Sequence, residues 1–280
     1  MEADVRVLRK GLQIVEGLKP ANFAVTLGGV PKQVCKVERS SSPLSIGILL
    51  DVSGSMVGKK SDLFGNTAAA VRKLIDSSGA QDEYFLEYIT ASPGPVPRFT
   101  SDLSKIRAGL VYKPKGRTAL IDAIYLALAA TKDARYSRRA LVILSDGMDN
   151  GSSRNWEDLH REFDDASVPI FLLVPFESWS GPTAGPIEWS MRKRLVDFVD
   201  ESGGICAAAT GSREIAEKMA SLAALVRQPY SLVLPGPQQS VSQHAHLDLR
   251  IDVIGLKAPA LPLYRSVRVR QVPAGQDRDR

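Results

Sequence analysis

The chain has 280 residues, enough for one large domain or for a large and a small one. Apolar residues make up 44% and charged residues 24%, the balance of a soluble globular protein, and the net charge of +5 is scattered over short clusters such as Lys59-Lys60, Arg72-Lys73, Arg138-Arg139 and Arg192-Lys193-Arg194. With no aromatic–basic stripe, no nucleic-acid partner is expected, and the longest apolar runs, 123–130 and 168–176, are far too short to span a bilayer.

Val5-Arg6-Val7-Leu8 reads as a strand almost at the start of the chain. The run 22–27 meets Gly28-Gly29, and 33–38 then alternates apolar and polar residues, a hairpin signal. Arg39-Ser40-Ser41-Ser42-Pro43 reads as a linker. Cys35 and Cys206 each sit in a β-like apolar stretch without metal-ligand spacing; two buried thiols are the expectation, and a single bridge stays open.

From Leu44 the rhythm becomes strand, helix, strand. The run 45–50 is a short buried strand. Phe64, Ala68, Val71 and Ile75 then mark one face of an amphipathic helix. A second strand follows over 84–90. Between Pro93 and Thr100 the residues 96–100 suggest a short edge strand bounded by Pro93, Pro95 and Pro97. The spacing predicts a helix over 119–131 with Ile121, Ile124 and Leu128 inward, a third strand over 139–144, a helix over 155–165 and a strand over 169–175. A Ser/Trp/Gly/Pro loop, 177–186, precedes a helix over 189–200. Gly203-Gly204 introduces a strand through Cys206, and 212–227 is a closing helix. After Gln228-Pro229 the pattern is β again at 230–234, 245–253 and 261–269. The expected division is an N-terminal β segment 1–42, an α/β domain 43–227, a C-terminal β segment 228–272 packed with 1–42 as a small accessory module, and a frayed tail 273–280.

Alternating strands and helices demand a mostly parallel, Rossmann-like sheet with right-handed crossovers and helices on both faces. Ligands of such sheets bind beyond the carboxyl ends of the strands. Asp51-Val52-Ser53-Gly54-Ser55 directly follows the first strand of this domain. Leu144-Ser145-Asp146-Gly147 follows another, and Gly116-Arg117-Thr118 leads into a helix on the same rim. Asp51, Ser53, Ser55, Thr118 and Asp146 offer oxygen only, which suits a hard divalent cation, with Mg²⁺ first and Mn²⁺ or Ca²⁺ as alternatives.

With these turns in place, residues 44–226 resemble the von Willebrand factor type A domain, whose metal-ion-dependent adhesion site has the pattern Asp-x-Ser-x-Ser, then Thr, then Asp. Asp51, Ser53, Ser55, Thr118 and Asp146 match it in order. The leading segment Glu16-Gly17-Leu18-Lys19-Pro20, Asn22-Phe23 and Gly28-Gly29-Val30-Pro31 also resembles a bacterial group of related proteins. The resemblance implies that Ser53, Ser55 and Thr118 coordinate through hydroxyls and that Asp51 and Asp146 act directly or through water. It leaves one position for a carboxylate from a protein partner. Two carboxylates roughly neutralise a divalent ion, and neutral hydroxyls leave it able to attract an outside anion. One departure stands out: Arg117 occupies a place where the family often has Gly.

Several of these residues admit rival readings. Asp51, Ser53 and Ser55 could cap a helix instead. Asp149 and Asn150 read as turn formers, with a supporting role behind the metal ligands as the lesser alternative. Gly54 to Ser61 imitates a phosphate-binding loop, but three residues rather than four separate Gly54 and Gly58, and Lys60 intervenes before Ser61, so nucleotide hydrolysis is rejected. A Mg²⁺-dependent phosphatase of haloacid dehalogenase type with Asp51 as nucleophile is the alternative, although Ser53 stands where such enzymes carry an acid. His160 reads as a solvated helix residue near Glu162, and His244 and His246 as surface residues of a tail strand. Trp179 and Trp189 read as packing residues near the rim. The expectation is a non-enzymatic, metal-dependent interaction domain. Oligomeric state stays open, and so does localisation: Met1-Glu2-Ala3-Asp4 has no signal-peptide character, while the related bacterial proteins are often exported, so a leader upstream of Met1 is the matching hypothesis.

Overall fold

The computed structural model describes residues 2–57, 62–176, 186–235, 249–256 and 258–264. The chain divides into two compact units, Met1–Ser40 with Gln228–Arg280, and Ser41–Arg227. In the first, β1 (Glu2–Arg9) and the short β2 (Gln13–Ile14) pair antiparallel. Then β3 (Phe23–Leu27) turns into β4 (Val30–Lys32). Gly28 and Gly29 both take positive φ, 58° and 76°, the requirement of a two-residue hairpin turn. That turn sets Val30 opposite Leu27, so the return strand begins at once rather than at Gln33 as the alternation suggests. The expected stretch instead supplies β5 (Lys36–Arg39), which joins a different sheet. Here the expectation of a buried thiol fails. Val34 turns inward and its neighbour Cys35 faces out, so Cys35 is exposed.

The second unit begins with β6 (Ser45–Asp51), buried at every residue because it has strands on both sides and helices on both faces. Gly47 lets the Phe85 ring lie against the strand, since a Cβ there would stand 2.3 Å from the ring. Helix α1 (Leu63–Asp76) buries Phe64, Ala68, Val71 and Ile75, and the Asp62 carboxylate caps it by accepting from Gly65 N at 2.8 Å. Strand β7 (Glu83–Ile89) follows. The edge strand expected at 96–100 is reduced to a single antiparallel bridge, Tyr84 with Thr100, both N–H···O bonds being 2.8 Å. Prolines at 93, 95 and 97 lack the donors a longer ladder needs. A short α2 (Leu103–Ala108), which the apolar spacing does not announce, is capped by Asp102.

Helix α3 (Leu120–Ala130), β8 (Arg139–Leu144), α4 (Trp156–Ala166), β9 (Ile170–Phe176), α5 (Pro186–Glu201), β10 (Ile205–Thr210) and α6 (Gly211–Arg227) complete the alternation. The sheet order is β10-β9-β8-β6-β7, and every adjacent pair is parallel. One face carries α3, α4 and α5 over a core that includes Leu49, Phe85, Ile124, Ile143, Phe163 and Phe198. Helices α1 and α6 pack against each other elsewhere on the unit, α1 against β6 and α6 against β9 and β10.

The chain then returns to the first unit as β11 (Tyr230–Val233), β12 (Leu249–Val253) and β13 (Leu261–Leu263). One sheet has the order β13-β1-β11-β5 with β2 beside β1, and the other is β12-β3-β4. Val5, Val7, Phe23, Val25, Tyr230, Leu232 and Ile251 share one core, so both ends of the chain build a single β module. Among the described residues no helix is long and apolar enough to cross a membrane. The readings for Gly58 to Ser61, Trp179, the Trp189 side chain, His244, His246 and the tail 273–280 fall outside the described residues.

Candidate metal centre

The chain leaves β6 for β7 on one side and resumes with β8 on the other, so strand order reverses between β6 and β8. A crevice opens beyond their carboxyl ends at such a reversal. Asp51 is the last residue of β6, and the Leu50–Leu144 register brings it alongside Ser145. Asp51 is fully buried; its Oδ2 accepts from Ser145 Oγ at 2.6 Å and its Oδ1 from Ser53 N at 2.9 Å. Ser145 was visible in the sequence beside Asp146 but carried no separate signal. Its role follows from the register alone.

The residues after Asp51 form a 3₁₀ turn, Gly54–Met56. Ser53 stands at its N-cap yet makes no capping bond there; the Ser53 and Ser55 hydroxyls meet instead at 2.9 Å. The capping role considered for these residues belongs, at α1, to Asp62. Ser53 is buried and Ser55 exposed, so the hydroxyl pair runs from the interior to the surface.

Two backbone bonds tie the Thr118 loop to this turn, Lys115 N to Val52 O at 2.8 Å and Gly54 N to Gly116 O at 3.0 Å. Gly116 bends the chain with φ of 82°. Thr118 is buried, and its own N–H donates to Asn150 Oδ1 at 2.9 Å while its carbonyl accepts from Asn150 N at 2.9 Å. Asp149 Oδ2 accepts from Ile121 N at 2.8 Å at the start of α3. Asp149 and Asn150 are therefore more than turn formers, since they bind the Asp146 loop to the Thr118 loop. Asp122 extends that link by accepting from Ser153 N and Arg154 N. On the third turn Gly147, at φ of 78°, lets Asp146 Oδ1 accept from Met148 N at 3.0 Å.

The three turns are thus bonded to one another, and they carry the five residues singled out by the sequence. Burial pushes the Asp51 carboxyl up to about 6, and the charge of Asp146 adds to that; hydrogen bonds from Ser145 and Ser53 oppose it. Among the described residues neither Asp51 nor Asp146 makes an ion pair. No group of three or more His, Cys, Asp or Glu side chains is assembled for a metal among those residues, so the donor set is two carboxylates and hydroxyls. That set fits a hard divalent cation, which supplies the charge the carboxylates lack. His160 lies elsewhere, with Nδ1 3.8 Å from Glu201 and its ring edge-on to Phe198, while Glu162 pairs with Lys132. Cys206 is a free thiol whose proton is held by burial, its value pushed up to about 12.

No family model matches the chain, and no curated protein matches it. A solved von Willebrand factor type A protein from Catenulispora acidiphila is similar in structure, with a TM-score of 0.52 at 17% identity, over 79% of this chain and 49% of that one. The chain has the von Willebrand factor type A fold. It spans about half the length of that neighbour. An aerotolerance-related membrane protein from Bacteroides fragilis has a TM-score of 0.48 at 17% identity, over 65% of this chain and 98% of the other. The conserved hypothetical protein BatB from Bacteroides thetaiotaomicron has the same score at 15% identity, over 66% and 98%. Within the type A core, the candidate site lies where the strand order reverses.

Proposed function

We propose that the type A core is a divalent-cation-dependent protein-interaction domain in which a carboxylate of the partner completes the metal's coordination. The observation that carries this reading is a pair of buried carboxylates, Asp51 and Asp146, at the strand-order reversal, near enough for the charge of one to raise the other and neither ion-paired among the described residues. Ser53, Ser55 and Thr118 would hold the ion through hydroxyls, and Asp51 and Asp146 would balance its charge. Because both Asp51 oxygens already accept hydrogen bonds, that carboxylate is suited to acting through bound water. Mg²⁺ is the first candidate, with Mn²⁺ and Ca²⁺ as alternatives; when bound it would supply an electrophilic centre with room for one outside oxygen.

The phosphotransfer alternative draws no support from the fold neighbours, and the position two residues after Asp51 holds a serine whose hydroxyl meets Ser55. A pull-down repeated with Mg²⁺, with Ca²⁺ and with chelator tests the proposal. Partner capture that needs the ion and is lost in Asp51→Ala supports it. Turnover of a generic phosphomonoester in Mg²⁺, abolished by Asp51→Asn, would overturn the binding-only reading.

A further inference from the structure

We infer that the loop leading into Thr118 is a docking strip for an extended acidic segment of the partner protein, guiding its carboxylate to the candidate metal centre. This inference rests on the metal-completion reading for the strip's destination, but not for its charge or shape. Residues 110–115 run without regular structure, and their burial alternates: Leu110, Tyr112 and Pro114 turn inward while Val111, Lys113 and Lys115 face out. Tyr112 is fixed by its ring contact with Tyr88, centroids 4.9 Å apart, and Lys115 N is bonded to Val52 O. Burial that alternates residue by residue is the pattern of an extended chain, and the strip is anchored at Tyr112 and at Lys115. Alternate residues of an extended chain stand about 7 Å apart, so Lys113 and Lys115 form a ladder of charge at that spacing. Beyond the bend at Gly116, the exposed Arg117 continues it to the edge of the site.

Two further observations mark this as a recognition surface. Lys105 and Arg107, just upstream, are paired with Asp102 and Asp76, whereas Lys113, Lys115 and Arg117 make no ion pair among the described residues. Moreover, the exposed large hydrophobic side chains of the type A core, among the described residues, are Val57 at 61% and Val111 at 79%. They lie on the two loops that are bonded together at the site. Apolar contacts flanked by uncompensated charge are the composition of a binding patch. The occupant that fits is a strand-like segment with acidic side chains at alternate positions and an apolar residue near one end. A nucleic acid fits less well, because the strip's one aromatic ring, Tyr112, is half-buried against Tyr88 rather than standing out as a stacking platform.

The test uses the full chain, Mg²⁺ and two fluorescent peptides of equal composition, one alternating (Glu-Ser-Glu-Ser-Glu-Ser-Asp) and one with its acids clustered. The alternating peptide should bind more tightly. Lys113→Glu with Lys115→Glu should weaken it about tenfold at roughly 0.05 M salt, with the difference shrinking near about 0.5 M. Calorimetry should still show one Mg²⁺ bound per chain in this double variant, no more weakly than in the parent. Equal affinity for both peptides, or an unchanged affinity in the double variant, would overturn the strip. So would a single-stranded oligonucleotide that displaces the peptide and binds more tightly. If chelator leaves the parent's affinity for the alternating peptide unchanged while the double variant still weakens it, the strip stands and the metal-completion reading falls.

Discussion

The two ends of the parallel sheet treat a buried carboxylate in opposite ways. At the amino end, Asp82 precedes β7 and is 5% exposed; Arg227 bonds it directly, and it also accepts from Leu44 N at 2.9 Å and Gly79 N at 2.6 Å. The same guanidinium donates to Tyr84 OH at 2.7 Å. At the carboxyl end, Asp51 is equally hidden but has another carboxylate, Asp146, as its charged neighbour. One end is neutralised from within the chain. The other holds two carboxylates that pair with no cation among the described residues, and a buried charge without a partner is costly.

The largest effect should come from opening the closed end. Arg227→Ala leaves Asp82 buried and unpaired, and should cost about 3–5 kcal/mol in urea denaturation. A loss below about 1 kcal/mol would remove the contrast between the two ends.

At the open end the sign reverses. The folded state holds the Asp51 proton up to about 6, above the ordinary 3.8, so it binds that proton more tightly than the unfolded chain does. Asp51 therefore costs nothing below pH 4, and its cost grows as pH rises from about 4 to about 6 and is complete above that. Metal-free Asp51→Asn should be more stable than the parent at pH 8 by an amount on the order of 3 kcal/mol, and no more stable at pH 4. Mg²⁺ should stabilise the parent and leave Asp51→Asn unmoved.

Smaller again is the tie between loops. Asn150→Ala removes the acceptor for Thr118 N and should cost about 1 kcal/mol in stability while weakening Mg²⁺ binding more than that loss would suggest. Glu87 offers the finest comparison, a buried β7 carboxylate raised to about 7 by desolvation with no site residue contributing to the shift. Glu87→Gln should also stabilise the protein above pH 7 relative to pH 4, but Mg²⁺ should raise the melting temperature of that variant as much as that of the parent.

Much of this was readable in the residues. The buried run into Asp51, the spacing of Phe64, Ala68, Val71 and Ile75, and the oxygen-bearing turns after β6 and β8 are local signals, and the alternation of elements predicts the parallel sheet. What was not legible depends on partners far away in sequence. Ser145 takes its part from strand register, and Asn150 from a hydrogen bond across 32 positions. Cys35 lay in a stretch that looked buried, but the tight Gly28-Gly29 turn used up the pairing at Val30 and left Cys35 facing out. The 96–100 strand failed for a local reason, proline, that the sequence showed and the pattern outweighed.

The most direct test of the central claim is a Mg²⁺ titration by calorimetry at pH 7.5, on the parent and on Thr118→Ala and Asp146→Ala. The account predicts one ion bound per chain in the parent and none in either variant, with all three folded by circular dichroism. No heat of binding and no change in melting temperature for the parent with Mg²⁺, Mn²⁺ or Ca²⁺ would contradict it.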